Sequence, residues 1–391
     1  MLTSGIKLKN FKIKKKINLY KIKKNLKILF DEKNYILESL KKKYRNSYSK
    51  KFINNYNKYK NFRVIGMGGS TLGTQTIYEF FKDKIKKNFH FIDNLSTKKI
   101  MIKNSQVVNL IVSKSGNTIE TIVNSNVYIK KENKNIFITE NKNNYLFQLA
   151  SKLKSEVIYH NNYIGGRYSV LSEVGMLPAD LMGLKTRNFR QLNSLIKNKA
   201  FINSLIISVA STLYYLKNKK NNSIIINYDE KSENLFKWYQ QLIAESLGKK
   251  SKGILPLISS MPKDNHSLMQ LYLDGPKKNF YTFFHVLNQN SSKIRSSNIL
   301  ISYKHLKYKN LSEILYAQKL ATEKVFLRKK IPFRSFDILK RDEKTLGELF
   351  CFFILETILL GRSLNVNPFD QPSVELIKKE TKKIFNTNKQ K

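Results

Sequence analysis

The sequence predicts an α/β protein of two halves, each a parallel sheet flanked by helices, with helical segments at both ends. Three observations carry this. Short β-branched runs recur from residue 62 onward with helical or polar stretches between them, the alternation of βαβ units. The series restarts after a helical stretch at Leu192–Lys217. Two early strands also run straight into loops rich in glycine or hydroxyl residues that open helices, the usual build of an anion-binding turn.

Residues 1–60 read mainly as helix, with Leu26, Leu29, Phe30, Ile36, Leu37 and Leu40 at helical spacing. The first strand series is Phe62–Ile65, Phe89–Ile92, Val107–Val112, Asn135–Thr139 and Glu156–Tyr159. The second is Ser223–Asn227, Gly253–Ile258, Phe280–Val286 and Asn298–Ser302. Its helices include Ser232–Leu247, closed by Gly248, and Leu311–Lys329. A helical pair, Asp342–Leu360 and a segment from Gln371 onward, ends the chain. The expected organisation is a helical N-terminal segment over 1–60 and α/β domains over 61–190 and 191–365. A C-terminal helix occupies 366–391. The 391 residues suit two or three domains at ~150 residues each.

Composition narrows the function classes. A hydrophobic share of 41% with only 15 glycines and 7 prolines excludes a disordered or low-complexity chain. The single cysteine, Cys351, cannot form an intramolecular disulfide. The net charge of +44 first suggests a nucleic-acid binder. Against that, the chain has ten arginines and 62 lysines, and base readout favours the planar fork of arginine. The lysine clusters at Lys14–Lys16, Lys41–Lys43, Lys249–Lys252 and Lys378–Lys379 also lie far apart. Abundant Asn, Ile and Tyr complete a bias expected of an AT-rich genome. No nucleic-acid partner is therefore expected, and the field serves at most to attract a small anion. The N-terminus alternates lysine with apolar residues and lacks the continuous apolar core of a signal peptide. The most apolar segment, Leu349–Leu360, is interrupted by Glu356 and falls short of the ~20 residues of a membrane span. A cytoplasmic chain without a membrane partner is expected.

The chemistry sits at the strand ends. Phe62–Ile65 leads into Gly66-Met67-Gly68-Gly69-Ser70-Thr71-Leu72-Gly73, a turn that lets backbone N–H groups approach an anion. Thr71 stands where a dinucleotide fingerprint needs glycine, which disfavours a nicotinamide cofactor. Val107–Val112 leads into Ser113-Lys114-Ser115-Gly116-Asn117-Thr118. Three hydroxyls and an amine at a helix start are the parts of a metal-free phosphate cradle. An ordinary helix cap accounts for one of those hydroxyls, not three.

Together these two loops resemble the first sugar-isomerase domain of the glucose-6-phosphate isomerase family. Three further stretches match that family in order: Gly165-Gly166-Arg167-Tyr168-Ser169-Val170-Leu171-Ser172, Gln241-Leu242-Ile243-Ala244-Glu245-Ser246-Leu247-Gly248-Lys249, and Asp370-Gln371-Pro372-Ser373-Val374-Glu375-Leu376-Ile377-Lys378. A weaker one, Asn265-His266-Ser267, fits the family's histidine loop. The last motif departs from the family pattern at Pro372, Ser373 and Ile377, and the histidine loop carries Met261 and Pro262 where a glycine is usual.

The resemblance implies two three-layer α/β/α sugar-isomerase domains and a metal-independent, cofactor-free isomerisation of glucose 6-phosphate and fructose 6-phosphate. It implies Glu245 as the base of a cis-enediol mechanism, with Arg167 steadying the developing charge. His266 and Lys378 would handle ring opening. Gly69, Ser70, Ser113, Lys114, Ser115, Thr118 and Gln241 would bind the substrate, a small sugar phosphate. Because the family's histidine loop reaches a neighbouring subunit's site, a homodimer is expected. The alternatives are a bifunctional phosphoglucose/phosphomannose isomerase, which Ser115-Gly116-Asn117-Thr118 also suits, and a non-catalytic phosphosugar-binding regulator. A regulator has no need of Glu245, Arg167 and Lys378.

Overall fold

The computed structural model describes residues 1–13, 18–97, 106–130, 132–287 and 291–387, so the cluster Lys14–Lys16 lies outside the described residues. Its strands are β1 (Ile6–Lys9), β2 (Asn61–Gly66), β3 (Asn88–Ile92), β4 (Val107–Val112), β5 (Lys134–Thr139), β6 (Glu156–Tyr159), β7 (Asn222–Asn227), β8 (Leu255–Ser260), β9 (Asn279–Val286) and β10 (Phe333–Ile338). One sheet has the order β3-β2-β4-β5-β6 and is parallel throughout. Its central strand β4 is buried at all six positions, as a strand covered by helices on both faces must be. The chain leaves β2 for β3 on one side and returns as β4 on the other, so the strand order reverses at the carboxyl ends of β2 and β4. That is the crevice where open α/β sheets bind ligands.

The second sheet has the order β1-β10-β9-β7-β8. Four of its strands run parallel, but β1 lies antiparallel along β10, with Ile6 opposite Ile338. The chain's first residues, which read as the start of a helical segment, thus form the edge strand of the most distant sheet. The expected strand Asn298–Ser302 is a correction: that stretch is exposed and falls on short 3₁₀ turns at Ser296–Asn298 and Ile301–Leu306. Its apolar residues have no sheet to join. The place beside β9 is taken instead by β10, whose sequence FRSFDI hides a core strand behind three polar residues.

Those polar residues are paired inside the fold. Arg334 donates to both oxygens of Glu356, the residue that interrupts the apolar run Leu349–Leu360. Ser335 Oγ donates to Glu323 at 2.6 Å and Lys319 reaches Asp337 at 2.6 Å. Helix Glu343–Ser363 is buried without a break from Thr345 to Gly361, an all-round apolar helix at the centre of the core. Helix Lys199–Lys217 is long and apolar enough to cross a membrane, yet here it packs on Glu343–Ser363 with Phe201, Leu205 and Val209 buried. Phe201 meets Phe352 edge to face at 5.7 Å. Helix Glu233–Leu247 packs against Leu72–Phe80 from the first half and Glu343–Ser363 from the second, so it ties the halves together. One face buries Leu235, Trp238, Leu242 and Ile243, leaving Gln241 and Glu245 on a more open face.

Candidate active site

The reversal point of the first sheet is framed by the two predicted loops. After β2, Gly68 takes a left-handed φ of +53° and the chain makes a single 3₁₀ turn, Gly68–Ser70, before helix Leu72–Phe80. Side chains have no room in this turn. A Cβ at Gly69 would lie 2.5 Å from the Arg167 amide nitrogen, and one at Gly68 2.8 Å from Gln241 Nε2. The first glycine loop is therefore pressed onto both the arginine segment and the helix that carries Glu245.

The second loop, after β4, is not held by an ordinary helix cap. Thr118 sits at the N-cap of Ile119–Tyr128 but its side chain caps nothing. It shares a hydrogen bond of 3.0 Å with Ser113 Oγ instead. Ser115 is exposed, and Gly116 holds a φ of +66° against Asn144, whose Oδ1 a Cβ there would overlap at 1.9 Å. Ser113, Ser115 and Thr118 thus stand at the amino-terminal end of that helix, where the first amides have no intrahelical partners. The Lys114 ammonium is half-buried; burial holds it below the ordinary lysine range, with Glu140 opposing and Lys142 reinforcing that shift.

Arg167 is the hub. It is 2% exposed, and all five of its N–H donors are engaged. Nε donates to Ser246 Oγ at 2.8 Å. Nη1 donates to Glu245 Oε2 at 3.0 Å and to Gln371 Oε1 at 2.7 Å. Nη2 donates to the carbonyls of Pro368 at 2.7 Å and Asp370 at 3.1 Å. Its own carbonyl accepts from Trp238 Nε1 at 3.0 Å. Glu245 is held on both sides, since its Oε1 accepts from Gln241 Nε2 at 2.8 Å. Its side chain is 29% exposed, enough to meet a ligand while the arginine behind it stays dry. Among the described residues the buried Oε1 of Gln241 has no hydrogen-bond partner. Because the guanidinium is fully subscribed, contact with a ligand oxygen requires Nη1 to exchange one of its two partners.

The structure links Gly69, Arg167, Gln241 and Glu245 by close approach and hydrogen bonds, with Ser70 in the same turn, and sets Ser113, Lys114, Ser115 and Thr118 at the end of the neighbouring strand β4. It does not bring His266 or Lys378 there within this chain. His266 is exposed just after β8, at the sheet edge. Lys378 lies on helix Val374–Thr387, which buries no residue, and its ammonium pairs with Glu375 of the same helix at 2.6 Å. His285, read as a core histidine, is buried in β9. Residue-by-residue reading gave no role to Gln371, Ser246 or Tyr168. All three stood inside the matched motifs, so the signal was present but not which partner each would take.

The geometry can be set beside known proteins. A family model for phosphoglucose isomerase matches residues 31–391. The glucose-6-phosphate isomerase of Methanocaldococcus jannaschii is 32% identical over 349 residues, covering 83% of this chain and 84% of that protein. That of Campylobacter jejuni is 30% identical over 360 residues, covering 87% and 88%. Among solved structures, a hypothetical protein from Thermus thermophilus superposes with a TM-score of 0.80 at 23% identity over 94% of each chain. A glucose-6-phosphate isomerase from Chlamydia trachomatis does so with a TM-score of 0.71 at 19% identity, covering 87% of this chain and 72% of that one. The two structures share the fold, and the sequence matches carry the relationship further: this chain belongs to the phosphoglucose isomerase family.

Proposed function

We propose that the chain interconverts glucose 6-phosphate and fructose 6-phosphate, the step that links aldose and ketose in glycolysis and gluconeogenesis. The observation that carries the reading is the Arg167–Glu245–Gln241 cluster seated against the first glycine loop at the reversal point of a phosphate-cradling sheet. The substrate's phosphate lies among Ser113, Ser115, Thr118 and the helix amides, with Lys114 adding positive charge. Its C1–C2 end then faces Glu245. The carboxylate takes the proton from C2, the enediolate forms, and the proton returns at C1. Arg167 faces the oxygen on which charge develops, a pre-oriented cation in a dry setting. No step in this sequence calls on a metal or a redox cofactor.

His266 and Lys378 enter the site in a homodimer on this reading. His266 is exposed and reaches a second subunit's cluster, and Lys378 swings in when substrate and partner order the last helix. That helix exposes Leu376, Ile377, Ile384 and Phe385, an apolar stripe suited to a partner. A cytoplasmic enzyme without nucleic-acid or membrane partners completes the proposal.

The test is Glu245→Gln. It removes the base but keeps a group that can hydrogen-bond Arg167. The expected result is a fall in kcat of about 10²–10⁴ with glucose 6-phosphate still bound, read by a coupled isomerase assay and calorimetry. Full activity in this variant overturns the assignment. Turnover of mannose 6-phosphate at a comparable rate moves the reading to the bifunctional enzyme, and binding without turnover in the unaltered chain moves it to the regulator.

A further inference from the structure

The second sheet holds a cavity at the amino-terminal ends of its strands, lined by none of the residues of the site just described. Its volume is about 240 Å³, a little under the ~300 Å³ of the smallest drug-sized pockets. Three helix-to-strand returns build it side by side, because the strands they enter, β7, β9 and β10, are neighbours in the sheet. Lys220 precedes β7, Lys277 precedes β9, and Lys329 with Lys330 precede β10. The other walls include Tyr272 and Tyr281, stacked edge to face at 5.4 Å.

Four of the ten lining residues are lysines and none is acidic. Lysine is abundant along the whole chain and, among the described residues, most lysines pair with no carboxylate, so neither the count nor the lack of pairing decides alone; the convergence of three neighbouring returns on one cavity does. Among the described residues none of these four pairs with a carboxylate. Lys277 Nζ donates to the Leu273 carbonyl at 3.2 Å, which suits a cation at a helix C-terminus, and Lys220 Nζ donates to the Lys277 carbonyl. Lys329 and Lys330 donate to no side chain or carbonyl through their ammonium groups among the described contacts. Lys330 takes a left-handed φ of +55° in the turn that enters β10, and both it and Lys329 are exposed. Burial and the charge of Lys277 hold the Lys220 ammonium below its ordinary range, the mark of positive charges crowded without a counter-charge.

We propose that this cavity is a second anion site, distinct from the sugar-phosphate site, and that it takes a small molecule bearing a pyrophosphate group. Two carbonyl-anchored ammoniums fix the walls, and two free ones close on a ligand carrying several negative charges. The Tyr272 and Tyr281 rings form an apolar side that keeps the charges apart from bulk water.

The experiment is calorimetric titration of inorganic pyrophosphate, and separately of adenosine triphosphate, into the full chain at 150 mM salt. Saturating glucose 6-phosphate occupies the first site throughout. The expected result is one binding event that survives the sugar phosphate and weakens at least tenfold in Lys329→Gln/Lys330→Gln. Isomerase activity without pyrophosphate stays at the wild-type level in that variant. A tighter isotherm for the nucleotide assigns the ligand to the nucleotides, and equal isotherms assign it to the inorganic anion. Loss of all binding under saturating glucose 6-phosphate overturns the proposal. So does an equal loss in the remote exposed pair Lys23→Gln/Lys24→Gln, which would reduce the binding to diffuse charge.

Discussion

Arg167 is held so completely that its neighbours can be weighed one by one. Ser246 Oγ accepts from Arg167 Nε and shares a 2.9 Å hydrogen bond with the Tyr168 hydroxyl, which also donates to the Pro368 carbonyl. Ser246→Ala leaves the Nε–H without an acceptor in a dry setting, a penalty of about 1–3 kcal/mol, while Tyr168 keeps Pro368. The guanidinium then loses its fixed aim. The expected outcome is a kcat roughly tenfold lower, about 1.4 kcal/mol, with KM little changed and recovery in Ser246→Thr. A second residue reports through pH. His160 is 3% exposed, its Nδ1 hydrogen-bonds the Asn161 carbonyl at 2.8 Å, and its buried Nε2 has no partner among the described residues. Burial, helped by the Lys114 charge, pushes its pKa down to about 4. The native state keeps the ring neutral where the unfolded chain, near 6.5, would protonate it. Its contribution is therefore intact above pH 6.5 and is lost as pH falls toward 4, by at most about 1.4 kcal/mol per pH unit. Denaturant midpoints at pH 7 and pH 5 should differ less in His160→Gln than in the unaltered chain. The hydroxyls of the second loop stood out in the sequence because they cluster where a strand meets a helix, whereas Glu245 and Arg167 stood out only through the motifs that resemble the family. Gln371 and Ser246 were not, since a polar residue does not announce which distant donor it will satisfy.

At the scale of elements, most strands were legible from β-branched runs bounded by loops, and Val107–Val112 and Glu156–Tyr159 match to the residue. β10 was hidden because its arginine, serine and aspartate look like surface, and partners such as Glu356, Thr282, Glu323 and Lys319 make their burial tolerable. An unpaired buried charge costs several kcal/mol, so these partners were a condition of the strand and not an addition to it. β1 was hidden for the opposite reason: four residues alternating with lysine carry too little pattern to be read. Its part is nonetheless definite. It covers the open edge of β10, Leu2 and Ile6 are buried, and Thr3 Oγ1 donates to Glu348 at 2.6 Å. Removing residues 1–9 uncovers unpaired backbone along β10 and forfeits roughly 3–6 kcal/mol of apolar burial from those two side chains. The expected outcome is a lower melting temperature together with light scattering that rises with protein concentration, as an exposed strand edge invites pairing between molecules.

At the scale of the whole molecule, the site is shared between chain segments and, as proposed, between chains. If His266 serves a partner's cluster, mixing two inactive variants restores activity. Refolding Glu245→Gln together with His266→Ala in equal amounts makes hybrid dimers with one intact site out of two, or about a quarter of wild-type activity across the mixture. A mixture as inactive as its components would show that each subunit works alone. The sharing inside one chain has a consequence in time. Arg167 draws on Glu245 and Ser246, then on Pro368, Asp370 and Gln371, the last of them 204 residues further on. Domains fold as they emerge from the ribosome, amino terminus first. The second loop can therefore be in place while Arg167 still waits for the chain's end. On the proposed reading, a polypeptide cut short before Pro368 grips a sugar phosphate and leaves it unchanged, so turnover begins only once synthesis has all but finished.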